Sequence, residues 1–398
     1  MTFPERFANL PAYAFPRLRA LLDHHAPGGD VVHMTIGEPK HQFPQWVTDV
    51  IVENAAGFNS YPANDGSDEL RAAMAAWILR RYDVTMDAGT QIMALNGTRE
   101  GLYNAAMALC PEQKDGKTPA ILIPNPFYQV YMVASLSVAA EPVFVSATRA
   151  TGHLPDYENL PEDVLQRTAI AYICSPANPQ GAVASRDYWQ RLIRLAEQYD
   201  FKIFADECYS EIYRDQAPVG ALTVAQEMGA DPERVVLFNS LSKRSNLPGL
   251  RAGLIASGPE NIKRIKQLRA YSGAPIPGPL QVAAARVWED EAHVVASRAL
   301  YQEKFKIADE VFQGLDGYVP PEAGFFLWLP VPDGEAAALK LWRETGVRVL
   351  PGAYLAQGAL GQNPSQNPGE GYIRVALVAS AEVTRQALTE LRRCLYDN

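Results

Sequence analysis

The sequence predicts an α/β protein: a large domain on a mostly parallel seven-stranded sheet flanked by helices, and a small α+β domain drawn from both termini. Three observations carry this expectation. From residue 90 onward, short apolar runs alternate with amphipathic helical stretches, which is the rhythm of βα units. Near residue 316 that rhythm gives way to short elements rich in Pro and Gly. A chain of 398 residues also exceeds what one hydrophobic core organises. The expected division is 1–50 as an N-terminal segment joining the small domain, 51–300 as the large domain, and 301–398 as the C-terminal small domain.

Composition narrows the classes of function. With 47% hydrophobic and 20% charged residues the chain reads as an ordinary globular protein. A net charge of -9 and no run of Lys or Arg argue against a nucleic-acid surface, so anionic ligands must be met by a few placed cations. Cys110, Cys174, Cys208 and Cys394 stand far apart, and with six histidines they offer no zinc-type spacing. Reduced thiols, no apolar stretch behind Met1 to Arg6 and no spanning run fit a cytoplasmic protein without membrane contact.

The elements follow in order. A helical pattern covers 16–23, and an apolar stretch over 31–36 predicts a strand that leads into Gly37-Glu38-Pro39. The glycine either lets backbone approach a ligand or makes a plain turn. A turn-rich segment from Tyr61 to Gly66 precedes a helix that starts at Ser67, with Asp68 and Glu69 favouring its N-terminus. The seven large-domain strands are predicted at 91–95, 120–123, 142–145, 169–173, 201–205, 235–238 and 254–256. A long helical region over 280–315 then carries a charged face with Asp290, Glu291, Glu303, Lys304 and Lys306. Strands at 325–329 and 372–375 follow, separated by a loop over 358–371 expected to be mobile.

Open α/β sheets bind ligands beyond the carboxyl ends of their strands, so the polar residues found there are the candidates. Asn96-Gly97-Thr98-Arg99 opens a helix and forms either an anion site or a simple cap. Tyr128, after the second run, is either a ring stacker or core. Asn178, pinned between Pro176 and Pro179, donates to a ligand oxygen or shapes its own turn. Asp206, ending a buried strand, needs a compensating partner such as a pyridinium N–H, or else caps a helix; Tyr209 lies three residues on. Ser240, Ser242, Lys243 and Arg251 stand in a polar insert between two strands, in the order that an aldehyde and a phosphate on one ligand require. That ligand is pyridoxal phosphate, held through a Schiff base to lysine, although a solvated loop has the same composition.

In this order the residues resemble the fold type I pyridoxal-phosphate aminotransferases, the class I/II family, along essentially the whole chain. The resemblance implies Lys243 as the covalent anchor and proton shuttle, Asp206 as the pyridine partner, and Asn178 and Tyr209 as ligands of the phenolic oxygen. It implies Tyr128 as stacker, Gly97, Thr98, Arg99, Ser240, Ser242 and Arg251 around the phosphate, and Arg374 as the clamp on the substrate α-carboxylate, with Gly37 closing over it. It further implies a homodimer with shared sites, Tyr61 reaching the phosphate of the neighbouring subunit. Gln180 departs from the threonine usual after Asn-Pro.

More narrowly, the segments 36–41, 125–129, 206–213, 242–246, 290–294 and 298–301 resemble the bacterial N-succinyldiaminopimelate aminotransferases. The implied reaction moves an amino group between glutamate and a dicarboxylic keto acid of lysine biosynthesis, with Lys40 and Arg99 as candidate cations for the distal carboxylates. The rivals are an aminotransferase of other specificity (alanine, aspartate or aromatic), a pyridoxal-phosphate lyase, and a regulator built on the same fold. The last would need a DNA-binding segment, and residues 1–90 contain no basic helix-turn-helix pattern.

Overall fold

The computed structural model describes residues 5–8, 10, 12–358 and 367–397, so most of the 358–371 loop lies outside the described residues. Its strands in chain order are β1 (Val32–His33), β2 (Ile92–Leu95), β3 (Ala120–Asn125), β4 (Glu141–Ser146), β5 (Thr168–Cys174), β6 (Lys202–Asp206), β7 (Val235–Ser240), β8 (Gly253–Ala256), β9 (Phe326–Pro330), β10 (Val347–Arg348), β11 (Leu350–Pro351) and β12 (Tyr372–Ala376). Each of the seven apolar runs of the predicted large domain forms a strand, and together they make one sheet in the order β2-β8-β7-β6-β5-β3-β4. β3 to β7 run parallel, while β8 lies antiparallel between β7 and β2.

The sheet is buried on both sides, which is why its strands read as unbroken apolar runs rather than as alternations. Along β7 successive side chains point to opposite faces. Val236 and Phe238 join a core with Leu95, Leu102, Ile123 and Phe204. Val235 and Leu237 join the opposite core with Trp77, Trp189 and Trp288. Helices cover both faces, among them Asp68–Tyr82, which starts where Ser67 Oγ accepts from the Leu70 N–H.

A third core brings residues of both ends of the chain together: Met34 with Phe305, Phe326, Leu341, Val375 and Leu388. Here β11, β12 and β9 form a three-stranded antiparallel sheet, and β1 pairs with β10. Cys208 and Tyr209, just past β6, pack into this same core and tie it to the large sheet.

Three expectations need correction. The strand predicted over 31–36 is only the two residues of β1, because beyond it the chain bonds to the far sheet instead: Met34 O accepts from Ala376 N at 2.8 Å. The helix predicted over 280–315 is two helices, Gly278–Glu289 and Ala292–Val311. At the break the Asp290 carboxylate accepts from the His293 N–H, and Glu291 pairs at 2.8 Å with the buried Arg244. Lys304, placed by its charge on a solvated face, is 1% exposed. Its aliphatic stem packs like a core side chain, and its ammonium finds acceptors inside. Among the described residues no helix is long and apolar enough to cross a membrane.

Candidate active site

The carboxyl ends of β2, β3, β5, β6 and β7 and the start of β8 open onto a cavity of about 610 Å³, closed from the other side by Gly37, Phe326 and Arg374. Thr98, Arg99, Tyr128, Asn178, Asp206, Tyr209, Ser240, Ser242, Lys243 and Arg251 also line it. Gly97 stands immediately behind, as the cap of helix Thr98–Leu109 with φ 81°, and a Cβ there would run into the Arg251 guanidinium. Glycine is needed at this position both for its dihedral and for that close approach.

Lys243 sits in a short helix, Leu241–Arg244, capped by Ser240, whose Oγ accepts from the Ser242 N–H at 3.0 Å. Its ammonium donates to the Gly37 carbonyl and lies 5.5 Å from the centre of the Phe325 ring. Burial brings the amine down to about 8, with Arg374 adding to the shift and Cys208, Glu38 and Asp206 opposing it. A neutral lysine, the form that reacts as a nucleophile, is therefore accessible near neutral pH.

Asp206 is 6% exposed and has no ion-pair partner among the described residues. Oδ2 accepts from the Tyr131 hydroxyl at 2.7 Å and Oδ1 from the Cys208 N–H at 3.4 Å. Burial pushes its carboxyl up, against these hydrogen bonds and the charge of Lys243. The next helix begins only at Ala221, whose N–H donates to the Glu207 carboxylate, so the capping alternative does not apply to Asp206.

The arginines complete the picture. Arg374 is buried, donating to Asn178 Oδ1 at 3.0 Å and to Thr35 O at 2.7 Å, with its guanidinium 4.3 Å from the Phe326 ring centre. Its Nε is buried without a partner among the described residues, and burial lowers its pKa to about 10. Arg251 donates only to the carbonyls of Pro248 and Asn96. Arg99 donates to the Tyr128 hydroxyl at 2.7 Å. Three guanidinium groups thus reach one cavity without a carboxylate partner among the described residues.

Two candidates stand apart from the cavity. Tyr61 is fully exposed, in a turn. Lys40 does not line the cavity, because its ammonium is paired at 2.6 Å with Glu38 on the exposed side of the loop. Sequence reasoning missed Tyr131, which holds Asp206 and stacks at 4.4 Å on Tyr172; its signal was a spacing of three from Tyr128 at the start of a helix. It also missed Cys174 and Cys208, which line the cavity beside Asp206. Gln180 is buried, with Nε2 3.4 Å from Ala147 O.

The donor set fits pyridoxal phosphate. A buried carboxylate without a cation suits a pyridinium nitrogen, and Arg251 with Gly97, Thr98, Ser240 and Ser242 would hold a phosphate beside the N-terminus of helix Thr98–Leu109. Asn178 and Tyr209 would hold the phenolic oxygen, and Tyr128 would cover the ring. When bound, the cofactor supplies an aldehyde that condenses with primary amines and a ring that withdraws electrons from them.

Fold and site together define a pyridoxal-phosphate-dependent enzyme, with its candidate cofactor site where two packed cores meet. Residues 29–391 match the model of the family Aminotransferase class I and II, and the chain belongs to that family. It is similar over 98% of its length to an LL-diaminopimelate aminotransferase of Moorella thermoacetica, 32% identical with 97% of the relative covered. An LL-diaminopimelate aminotransferase of Syntrophobacter fumaroxidans is 31% identical, with 98% of each chain covered. Among solved structures, an aminotransferase from Neisseria meningitidis is 38% identical, with a TM-score of 0.92 over 98% of this chain and 99% of that one. The protein is an aminotransferase acting on small amino and keto acids.

The depressed Lys243 amine gives a direct test on cofactor-free protein. Carbamylation of Lys243 by cyanate, followed by peptide mass spectrometry, is expected to rise with a midpoint near pH 8. Asp206→Asn is expected to move that midpoint down, since the Asp206 charge supports the ammonium. A midpoint at the ordinary lysine value of about 10.4 would overturn the assignment of a depressed amine.

Proposed function

We propose that the enzyme is a cytoplasmic homodimer that transaminates N-succinyl-LL-2,6-diaminopimelate with 2-oxoglutarate, giving N-succinyl-2-amino-6-oxopimelate and glutamate. The observation that carries the reading is the cavity's excess of arginine. Arg374 is suited to the α-carboxylate and Arg251 to the cofactor phosphate, which leaves Arg99 for a distal carboxylate. In this reading Lys243 Nζ takes the α-proton of the substrate and returns it, and Asp206 stays ionised opposite the ring nitrogen. Asn178 and Tyr209 orient the ring, and the Gly37 loop keeps water from the reacting atoms.

A second reading has support of its own. The curated relatives named above are LL-diaminopimelate aminotransferases, and the unsuccinylated diamine keeps the two pimelate carboxylates but has a distal ammonium in place of the succinyl amide and its third carboxylate. Glu38, which lines the cavity, is a candidate partner for that ammonium if its carboxylate exchanges Lys40 for it.

Half-reactions of the purified holoenzyme, read from the absorbance of the bound cofactor, separate these readings. Fastest reaction with N-succinyl-LL-diaminopimelate supports the first, and fastest reaction with LL-diaminopimelate the second. A clear preference for alanine, aspartate or phenylalanine over both would sink the diaminopimelate assignment. Lys243→Ala is expected to react with none of them.

Arg99→Ala is expected to raise KM for the long diacid roughly tenfold, the loss of one charge-assisted contact, while sparing alanine. An equal effect on both substrates would remove Arg99 from distal recognition.

The homodimer rests on Tyr61, an exposed aromatic in a turn away from its own cavity. In this reading its hydroxyl reaches the phosphate of the neighbouring subunit. Tyr61→Phe is then expected to loosen cofactor retention in dialysis, and sedimentation of a fully active monomer would refute the shared site.

A further inference from the structure

The buried ammonium of Lys304 lies outside the cavity and has no part in the chemistry above. It donates to Leu377 O at 3.1 Å and to His41 Nε2 at 2.7 Å, and it lies 5.0 Å from the Tyr301 ring centre. Burial lowers it to about 8, with Glu303 opposing. An ammonium has no acceptor, so His41 must accept through Nε2 and carry its proton on Nδ1. That Nδ1 is buried with no partner among the described residues, and so is the Tyr301 hydroxyl. Burial, then the charge of Lys304, holds His41 down to about 4, so the imidazole stays neutral.

Such a cluster costs stability: a cation without a carboxylate and two buried polar atoms without partners. What it joins gives it a use. His41 lies four residues beyond Gly37 in the same loop, and Leu377 follows the strand that carries Arg374. The near end of that loop is already stitched to the same strand, by Ala376 N to Met34 O at 2.8 Å and by Arg374 to Thr35 O. Between the two ends, Gly37 O accepts from Lys243, and a Cβ on Gly37 would stand 2.5 Å from the Phe326 ring. There is no slack for the loop to sit elsewhere and keep both contacts.

We propose that Lys304 is a positioning residue: bridging His41 and Leu377, it pins the loop on the far side of Gly37 to the end of the Arg374 strand, so that loop and arginine form one substrate-carboxylate site. The inference rests on the reading of Arg374 as the carboxylate clamp. Lys304 touches no substrate and acts through the two segments it ties.

The test compares Lys304→Met, His41→Leu, His41→Gln and Arg374→Gln holoenzymes, with glutamate and 2-oxoglutarate each followed alone in its own half-reaction, whose saturation constant and limiting rate stand for KM and kcat, and with glutarate as a non-reacting probe. Loss of the pin is expected to raise KM and the glutarate Kd roughly tenfold in Lys304→Met and His41→Leu, with kcat within about twofold. Hydrogen exchange over residues 35–41 is expected to quicken in both. His41→Gln, whose side-chain oxygen again accepts from the ammonium, is expected to recover most of the affinity. A lower Tm in Lys304→Met with unchanged KM, glutarate affinity and loop exchange would make Lys304 structural and overturn the pin. If Lys304→Met fails to fold, His41→Leu, which keeps Lys304 and its bond to Leu377, decides alone. A rise in KM in Arg374→Gln without one in the pin variants overturns the pin only. Unchanged KM in Arg374→Gln overturns the clamp reading and the pin with it.

Discussion

The site depends on a charge imbalance gathered around one cavity. Lys243, Arg251, Arg374 and Arg99 reach one cavity, and the carboxylate at its floor, Asp206, is bonded to a phenol and a backbone N–H rather than to any of them. Burying a cation is unfavourable unless counter-charge arrives, which bears on the buried Arg374 and the half-buried Lys243, whereas Arg251 and Arg99 keep contact with water. Lysine responds by giving up its proton more readily, but arginine does not leave the charged state in the same pH range, so the cavity stays positive. The protein is therefore shaped for ligands that bring a phosphate and carboxylates, and its stability is spent on keeping that readiness.

The large sheet gathers these groups because of how its strands run. Parallel strands put their carboxyl ends on one edge, which accounts for Tyr128, Asn178, Asp206 and Ser240. Arg251 comes from the opposite end of its strand, and reaches the same edge only because β8 is antiparallel: Gly253 lies opposite Ser240 on one side and Leu95 on the other. The reversal sets the lysine, the serines and the arginine on a single short connection beside helix Thr98–Leu109. A purely parallel sheet would have left Arg251 on the far edge.

Much of this was legible in the sequence, for a physical reason. Strands buried on both faces must be apolar throughout, so the seven runs marked themselves, and the polar residues that follow them could belong only to turns or a site. Composition could not tell which polar groups meet. Lys304 and Glu303 are neighbours with the same helical propensity, yet one is buried and the other exposed, and only the packing around Tyr301 and Phe305 decides. Tyr131 reads as an ordinary apolar residue on a helix until β6 brings Asp206 beneath its hydroxyl. The break at Asp290 and Glu291 was hidden because both are tolerated within helices; their partners His293 and Arg244 give the kink its reason.

One side chain joins the two halves of the site. Asn178 stands beyond β5 of the large sheet, while Arg374 belongs to β12 of the sheet built from the chain's end. Arginine has only donors, so the atom facing it must be Oδ1. The amide Nδ2 is thereby turned the other way, as a donor available to a ligand oxygen. On the proposed roles, fixing Arg374 for a carboxylate and aiming Asn178 at a ring oxygen are the same hydrogen bond seen from its two ends. A carboxylate drawing Arg374 toward itself would then lengthen that bond and shift the electrostatic field at the ring oxygen, so that substrate binding and cofactor electronics would be coupled by this one contact.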